Sequence, residues 1–179
     1  MRIISGKFRG RRFHPPTSLP VRPTTDRAKE GLFNILQSRW DPEGMKVLDL
    51  FAGTGSISLE FISRGAAEVV AVDLNSGCIA FIKRTAEELK IDNLRALTAN
   101  AYSFLERSEQ SWDIIFADPP YADLTIEDLH KLVFTRSLLH NDGVLVIEHD
   151  RSVDFSQKTY YQDTRKYSKV HFSFFEYVS

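Results

Sequence analysis

Met45-Lys46-Val47-Leu48-Asp49-Leu50-Phe51-Ala52-Gly53-Thr54-Gly55 is a short apolar run that meets an acidic residue and opens into a tight glycine turn. Met45–Leu50 reads as a buried strand. Ile57, Leu59, Phe61 and Ile62 then mark a helix that stops near Gly65. The pattern repeats down the chain. Glu68–Asp73 is a strand followed by a helix from Cys78 to Leu89, and Leu94–Ala99 a strand followed by a short helix around Tyr102–Arg107. Trp112–Ala117 is the fourth strand, a helix crosses Ile126–Phe134, and Val144–Glu148 is the fifth strand. Strand–helix alternation predicts an α/β fold: a mostly parallel twisted sheet with right-handed crossovers and helices on both faces. Before it, Thr24-Thr25 offers an N-cap for a helix whose apolar face is Ala28, Leu32, Phe33, Ile35 and Leu36, ending by Asp41-Pro42-Glu43-Gly44. After it, Lys158–Lys166 and Lys169–Val178 predict an antiparallel hairpin.

The 179 residues favour one domain, and 42% hydrophobic content suffices for a core. Cys78 is the single cysteine, so neither an intramolecular disulfide nor a cysteine-rich zinc site is available. No His/Asp/Glu cluster has metal-ligand spacing. The opening residues lack the apolar run of a signal peptide, and no stretch approaches a membrane span. A soluble, cytoplasmic, monomeric protein is expected. Charge is unevenly spread. Residues 1–31 hold eight basic side chains against Asp26 and Glu30, in a chain of net formal charge −1. A basic arm on an acidic body points to a polyanion, with a merely solvated face as the competing reading. Arg2–Ser5 and Arg11–Phe13 predict two short strands around the turn Gly6–Gly10. Residues 1–23 form the arm and residues 24–179 the main domain.

In an open parallel sheet, ligands sit beyond the carboxyl ends of the strands. Asp49, Gly53, Asp73, Asn100 and Asp118 all fall at or just after such ends. Asp118-Pro119-Pro120-Tyr121 makes a shelf for a flat ring bearing an amine. Asp118 can accept one N–H, a proline carbonyl the other, and Tyr121 can stack on the ring. The plain alternative is a strand ending in a Pro-rich turn. Gly53-Thr54-Gly55 lets the backbone approach a ligand closely. The third position of the dinucleotide fingerprint is Ser58 rather than Gly, which weakens a nicotinamide reading. Asp49 suits a cationic ligand, and Asp73 can accept both hydroxyls of a ribose. The two together fit S-adenosylmethionine. Structural roles, a turn acceptor for Asp49 and a helix cap for Asp73, compete with these.

Asp49–Gly55 with Asp73 and Asp118–Tyr121 resembles a class I S-adenosylmethionine-dependent methyltransferase that modifies amino groups. The opening Arg2-Ile3-Ile4-Ser5-Gly6-Lys7-Phe8-Arg9-Gly10-Arg11, followed by Arg22-Pro23-Thr24-Thr25-Asp26-Arg27, resembles one family within that class. It is the bacterial 16S (small-subunit) ribosomal RNA guanine-N2 methyltransferases, and the likeness spans nearly the whole chain. The resemblance implies a Rossmann-like methyltransferase fold. It implies that Gly53 and Gly55, with Phe51 and Ala52, hold the methionine part of the cofactor, and that Asp73 beside Leu74 binds its ribose. Asn100-Ala101 falls where such enzymes carry an acidic residue for the adenine amine, a bond the Asn100 carbonyl can still accept. Tyr167-Ser168 falls where an aromatic followed by Gly is expected, which implies a changed turn.

The same shelf serves guanine N2 and adenine N6, so an adenine-N6 methyltransferase of DNA or RNA stands as the alternative. A non-catalytic RNA-binding assembly protein on this fold is another, against which Gly53, Gly55, Asp73 and Asp118 speak. The implied partner is small-subunit ribosomal RNA or an assembling subunit. Arg2, Lys7, Arg9, Arg11, Arg12, Arg22 and Arg27 are the expected phosphate contacts. Phe8 fits a packed residue of the arm better than a stacking platform.

Overall fold

The computed structural model describes residues 1–19, 24–120 and 126–177. Each apolar run becomes a strand: β1 (Lys46–Leu50), β2 (Glu68–Asp73), β3 (Leu94–Thr98), β4 (Trp112–Ala117) and β5 (Leu139–His149). The helices are α1 (Asp26–Arg39), α2 (Ser56–Ser63), α3 (Ser76–Leu89), α4 (Ala101–Arg107) and α5 (Ile126–Thr135). β6 (Tyr161–Tyr167) and β7 (Val170–Phe175) close the chain as the expected hairpin. The seven strands form one sheet in the order β3-β2-β1-β4-β5-β7-β6. β1 to β5 run parallel, and β7 pairs antiparallel with β5 and with β6. The order reverses between β1 and β4, the switch point at which a ligand crevice opens. The α/β expectation is met. β5 begins earlier than its apolar core suggests, because Leu139 pairs with Trp112 across an irregularity.

Period-two alternation sorts side chains onto two layers. Val47, Val69, Ile114, Phe116 and Val146 pack with Leu32, Phe33, Ile57 and Phe61 of α1 and α2. Leu48, Val70, Ile115, Leu145 and Ile147 pack with Leu105, Leu129 and Val133 of α4 and α5. β4 is buried on both sides, as a central parallel strand must be. Among the described residues no helix is long and apolar enough to cross a membrane.

The expected N-terminal hairpin forms as a short antiparallel pairing about the Arg2–Arg12 bridge: Ile3 donates its N–H to the Arg11 carbonyl at 3.0 Å, Gly10 to the Ile3 carbonyl at 2.9 Å and Phe13 to the Met1 carbonyl at 3.0 Å. Further backbone donors of the arm go to α2. Ile4 and Ser5 donate their N–H groups to the Glu60 carboxylate at 2.8 and 3.0 Å. Lys7 donates to the Ser63 carbonyl at 2.7 Å, and Phe8 to the Ser63 hydroxyl at 2.9 Å. The arm therefore pairs with itself and also lies along α2. Gly6, at φ +79°, approaches so closely that a Cβ would fall 1.8 Å from the Ser63 carbonyl oxygen. Lys29 is buried beneath the arm, donating to the Arg2 carbonyl at 2.5 Å and to the Ser56 hydroxyl at 3.1 Å. Its ammonium is 3.6 Å from Glu60, and burial pulls its pKa below the ordinary value against that attraction. The arm and the first turn of α2 thus share one buried cation.

Candidate active site

Beyond the carboxyl ends of the parallel strands lies a cleft of about 1360 Å³. Small-molecule pockets commonly hold about 300–1,000 Å³, so there is room for a cofactor and a nucleobase together. Asp49, Phe51, Ala52, Gly53, Asp73, Leu74, Asn100, Ala101, Asp118, Pro119 and Pro120 all line it. Tyr121, like Arg22 of the arm, lies outside the described residues.

The glycine turn is built for close approach. Phe51, Gly53 and Gly55 all have positive φ, at 61°, 54° and 78°. Gly55 is held against α3, where a Cβ would meet Ile82 at 2.7 Å, so it shapes the turn from outside the lining. Asp73 grips the same turn. One carboxylate oxygen accepts the Gly53 N–H at 2.8 Å, and the other accepts the Asn75 N–H at 2.8 Å. The helix cap considered for Asp73 is instead Asn75, which accepts from Gly77 and Cys78 at the start of α3. Leu74 is 72% exposed at the cleft, alone among the large hydrophobic residues described. A flat apolar ligand surface would cover it. Asn100 caps α4 by accepting the Ser103 N–H at 3.1 Å. Its side-chain oxygen keeps a second lone pair.

Asp49 is buried, and its partner is Ser58, whose hydroxyl donates to it at 2.5 Å. Ser58 occupies the place of the third fingerprint glycine, so the departure from that pattern serves to hold this carboxylate. Burial pushes the Asp49 pKa up to about 7, and the charge of Asp118 adds to the rise. Asp118 follows β4, with its N–H on the Leu50 carbonyl at 3.3 Å. Burial pushes its pKa up to about 7 as well. Pro119 is buried behind it and Pro120 is exposed.

Glu148 was not among the expected site residues. Ala117 of β4 and Ile147 of β5 are in register, so Glu148 is the next step after the pair, beside Asp118. It is 3% exposed, lines the cleft, and its Oε2 has no hydrogen-bond partner among the described residues. Burial and the charge of Asp118 push its pKa up to about 9. The available signal was an acidic residue closing the apolar run Val144–Ile147, at the end shared with Asp49, Asp73 and Asp118. Asp118 and Glu148 stand level at the ends of β4 and β5, Asp49 lies two residues back on β1 in register with Phe116, and the three together are costly to ionise without a cation nearby. Among the described residues no three such groups are placed to hold a metal ion.

Two lips flank the cleft. Arg151 and the turn from Tyr167 to Val170 form one. That turn keeps the left-handed geometry a glycine would give, with Ser168 at φ 61°, so the change of turn expected from the Ser is not what the structure shows. Tyr167 lies over Gly31 of α1, where any Cβ would fall 2.2 Å from the ring. The arm lies near the other lip, Met1 accepting a 3.7 Å bond from the Thr54 hydroxyl beside the glycine turn. Arg2, Lys7, Arg9, Arg11, Arg12 and Arg27 are exposed. Arg2 pairs with Asp26 at 2.9 Å, and the Lys7 ammonium sits 5.2 Å from the Phe8 ring centre. Phe8 itself is half-buried against the α1–α2 core, a packed residue as expected.

The model of the family described as Conserved hypothetical protein 95 matches residues 1–176. Ribosomal RNA small subunit methyltransferase D of Escherichia coli is 34% identical over 148 residues, covering 83% of this chain and 74% of its own. The solved E. coli protein yhhF, a candidate methyltransferase, superposes with a TM-score of 0.87 at 29% identity, over 98% of this chain and 96% of its own. A Thermus thermophilus 16S rRNA N2 G1207 methyltransferase, RsmC, solved with AdoMet and guanosine, gives 0.68 at 25% identity, over 88% of this chain but 45% of its own. The resemblance read from the motifs is therefore borne out, as is the methyltransferase fold with its C-terminal antiparallel strands. The chain belongs to the Conserved hypothetical protein 95 family, with the small-subunit ribosomal RNA methyltransferases D among its relatives.

Proposed function

We propose that the protein methylates the exocyclic N2 amine of a guanine in 16S ribosomal RNA, with S-adenosylmethionine as donor. The cluster of Asp49, Asp118 and Glu148 in one cleft with Asp73 and the glycine turn carries this reading. It asks for a cationic ligand at the switch point, and the exposed Leu74 asks for a flat one next to it. An adenosine bearing a sulfonium meets both demands. Gly53 would lie against its methionine part, Asp73 would take its ribose and Asn100 its adenine amine. When bound, it supplies a methyl group activated by a positive sulfur.

The chain does the rest. Asp118 and a carbonyl of Pro119 or Pro120 hold the two N–H bonds of the target amine out of the ring plane. That orientation frees a lone pair otherwise delocalised into the guanine. As the nitrogen becomes positive, Asp118 stabilises the charge where it develops. Its carboxyl, poised near neutrality, can take the proton the amine gives up. The base must be unstacked to reach this shelf, which is cheapest in a single-stranded loop. Residues 1–23 serve as the RNA-contacting arm of a monomeric cytoplasmic enzyme, and residues 24–179 as its methyltransferase domain. Incubation with methyl-labelled donor and small subunits from a strain lacking the protein, followed by digestion to nucleosides, tests the assignment. The expected product is N2-methylguanosine. N6-methyladenosine, or no label despite cofactor binding, would overturn it.

A further inference from the structure

Asp118 accounts for the amine, yet Glu148 stands beside it with a buried carboxylate oxygen that no described residue satisfies. A buried acceptor without a partner is rare in native proteins and calls for a donor from a ligand or water. Two acceptors side by side, at the ends of adjacent strands in one cleft, suit a ligand edge with two adjacent N–H donors. The Watson–Crick edge of guanine has that pattern, N2–H next to N1–H. Adenine offers its amine next to a ring nitrogen that only accepts.

The geometry points to Glu148 as the residue that reads the target base, accepting the guanine N1–H while Asp118 accepts from N2. This rests on the guanine-N2 assignment above. The acceptor role also ties base reading to the donor. Burial and the charge of Asp118 favour the protonated form of Glu148 near neutral pH. A sulfonium in the cleft favours the ionised form, so Glu148 becomes a full acceptor once the donor is loaded.

The test pairs a residue change with a base change. Small-subunit RNA is ligated to carry either guanine or 2-aminopurine at the methylated position, reconstituted into subunits, and methylated by wild-type, Glu148→Gln and Glu148→Leu proteins. 2-Aminopurine keeps the N2 amine but presents an unprotonated N1. Wild type should prefer guanine in kcat/KM by about 10–100-fold, since 2-aminopurine leaves a buried carboxylate unpaired. Glu148→Gln, whose amide can donate as well as accept, should narrow that preference to within about threefold. Glu148→Leu should narrow it too, by slowing guanine. Calorimetric binding of S-adenosylmethionine confirms that each variant is folded, and a misfolded Leu variant leaves the Gln comparison intact. A preference that Glu148→Gln leaves unchanged overturns the inference while sparing the guanine assignment. A wild-type enzyme that forms no N2-methylguanosine on guanine subunits removes both.

Discussion

Along residues 1–13 the basic side chains face solvent from a backbone pinned to Glu60 and Ser63. At the carboxyl edge of the sheet Asp49 and Glu148 are withdrawn from solvent, and Asp118 stands half-buried between them. Both regions concentrate charge of one sign, but the surroundings give it different work. Exposed arginines feel a partner through a screened field, so they contribute affinity that salt can weaken. Buried carboxylates feel each other through low dielectric, so their protonation answers to whatever charge enters the cleft. Affinity for RNA should therefore belong to the arm and chemistry to the sheet edge. Lys29 joins the two by holding both the Arg2 carbonyl and Ser56 at the start of α2.

The sharpest way to separate the regions is Asp118→Ala. Loss of one preorganised polar partner of a developing charge costs on the order of 10²–10³ in rate elsewhere. The variant should lose at least that in single-turnover rate while keeping its affinity for RNA. Asp118→Asn should do less harm, because its carbonyl still accepts. Next comes Asp73→Ala, which removes two charge-assisted bonds to backbone N–H groups, at Gly53 and Asn75. Such bonds are worth about 1.5–3 kcal/mol each. Calorimetry should show cofactor affinity reduced at least ~10-fold, with arm-driven RNA binding little changed.

The arm is tested by salt. If Arg9, Arg11, Arg12 and Arg22 each neutralise a phosphate, log affinity should fall with log salt at a slope of about −3. Joint replacement of Arg9, Arg11 and Arg12 by alanine should flatten that slope toward about −1, whereas Asp118→Ala should leave it alone. A flat response in the wild type would remove the arm's role.

The carboxylates also make a pH prediction whose sign is fixed. Asp49, Asp118 and Glu148 have folded pKa values above their ordinary ones, so between those values the folded state binds more protons than the unfolded state. Stability without cofactor must then fall as pH rises, from about pH 4 through 7 for the aspartates and on to about 9 for Glu148. Glu148→Gln should raise the melting temperature more at pH 8 than at pH 6, by on the order of a few degrees. The smallest effect concerns Ser168. Glycine there relieves a left-handed conformation and should stabilise by about 0.5–1 kcal/mol in thermal unfolding.

The sheet and the cofactor side of the cleft were legible because each signal is local. An apolar run ending in Asp49, Asp73 or Asp118 declares both the strand and the edge on which its acid sits. Glu148 was not legible, since one acidic residue closing a strand is ordinary. Only the register of β4 with β5 sets it beside Asp118. Lys29 misled by its neighbours, reading as one more charge in a basic arm. Helical spacing instead sets it on the stripe of Leu32, Phe33 and Leu36, beneath the arm. The hairpin itself was legible, but its docking was not, because nothing local announces that Glu60 and Ser63 take the N–H groups of Ile4, Ser5, Lys7 and Phe8.

One measurement tests the division of labour most directly. Single-turnover methylation and RNA affinity are measured together for Asp118→Ala and for the variant with Arg9, Arg11 and Arg12 all changed to alanine. The expected result is a crossed pattern: Asp118→Ala loses rate by on the order of 10²–10³ and keeps affinity, while the arm variant loses affinity and keeps its rate at saturating RNA. Near-normal turnover by Asp118→Ala would contradict the assignment of chemistry to the sheet edge.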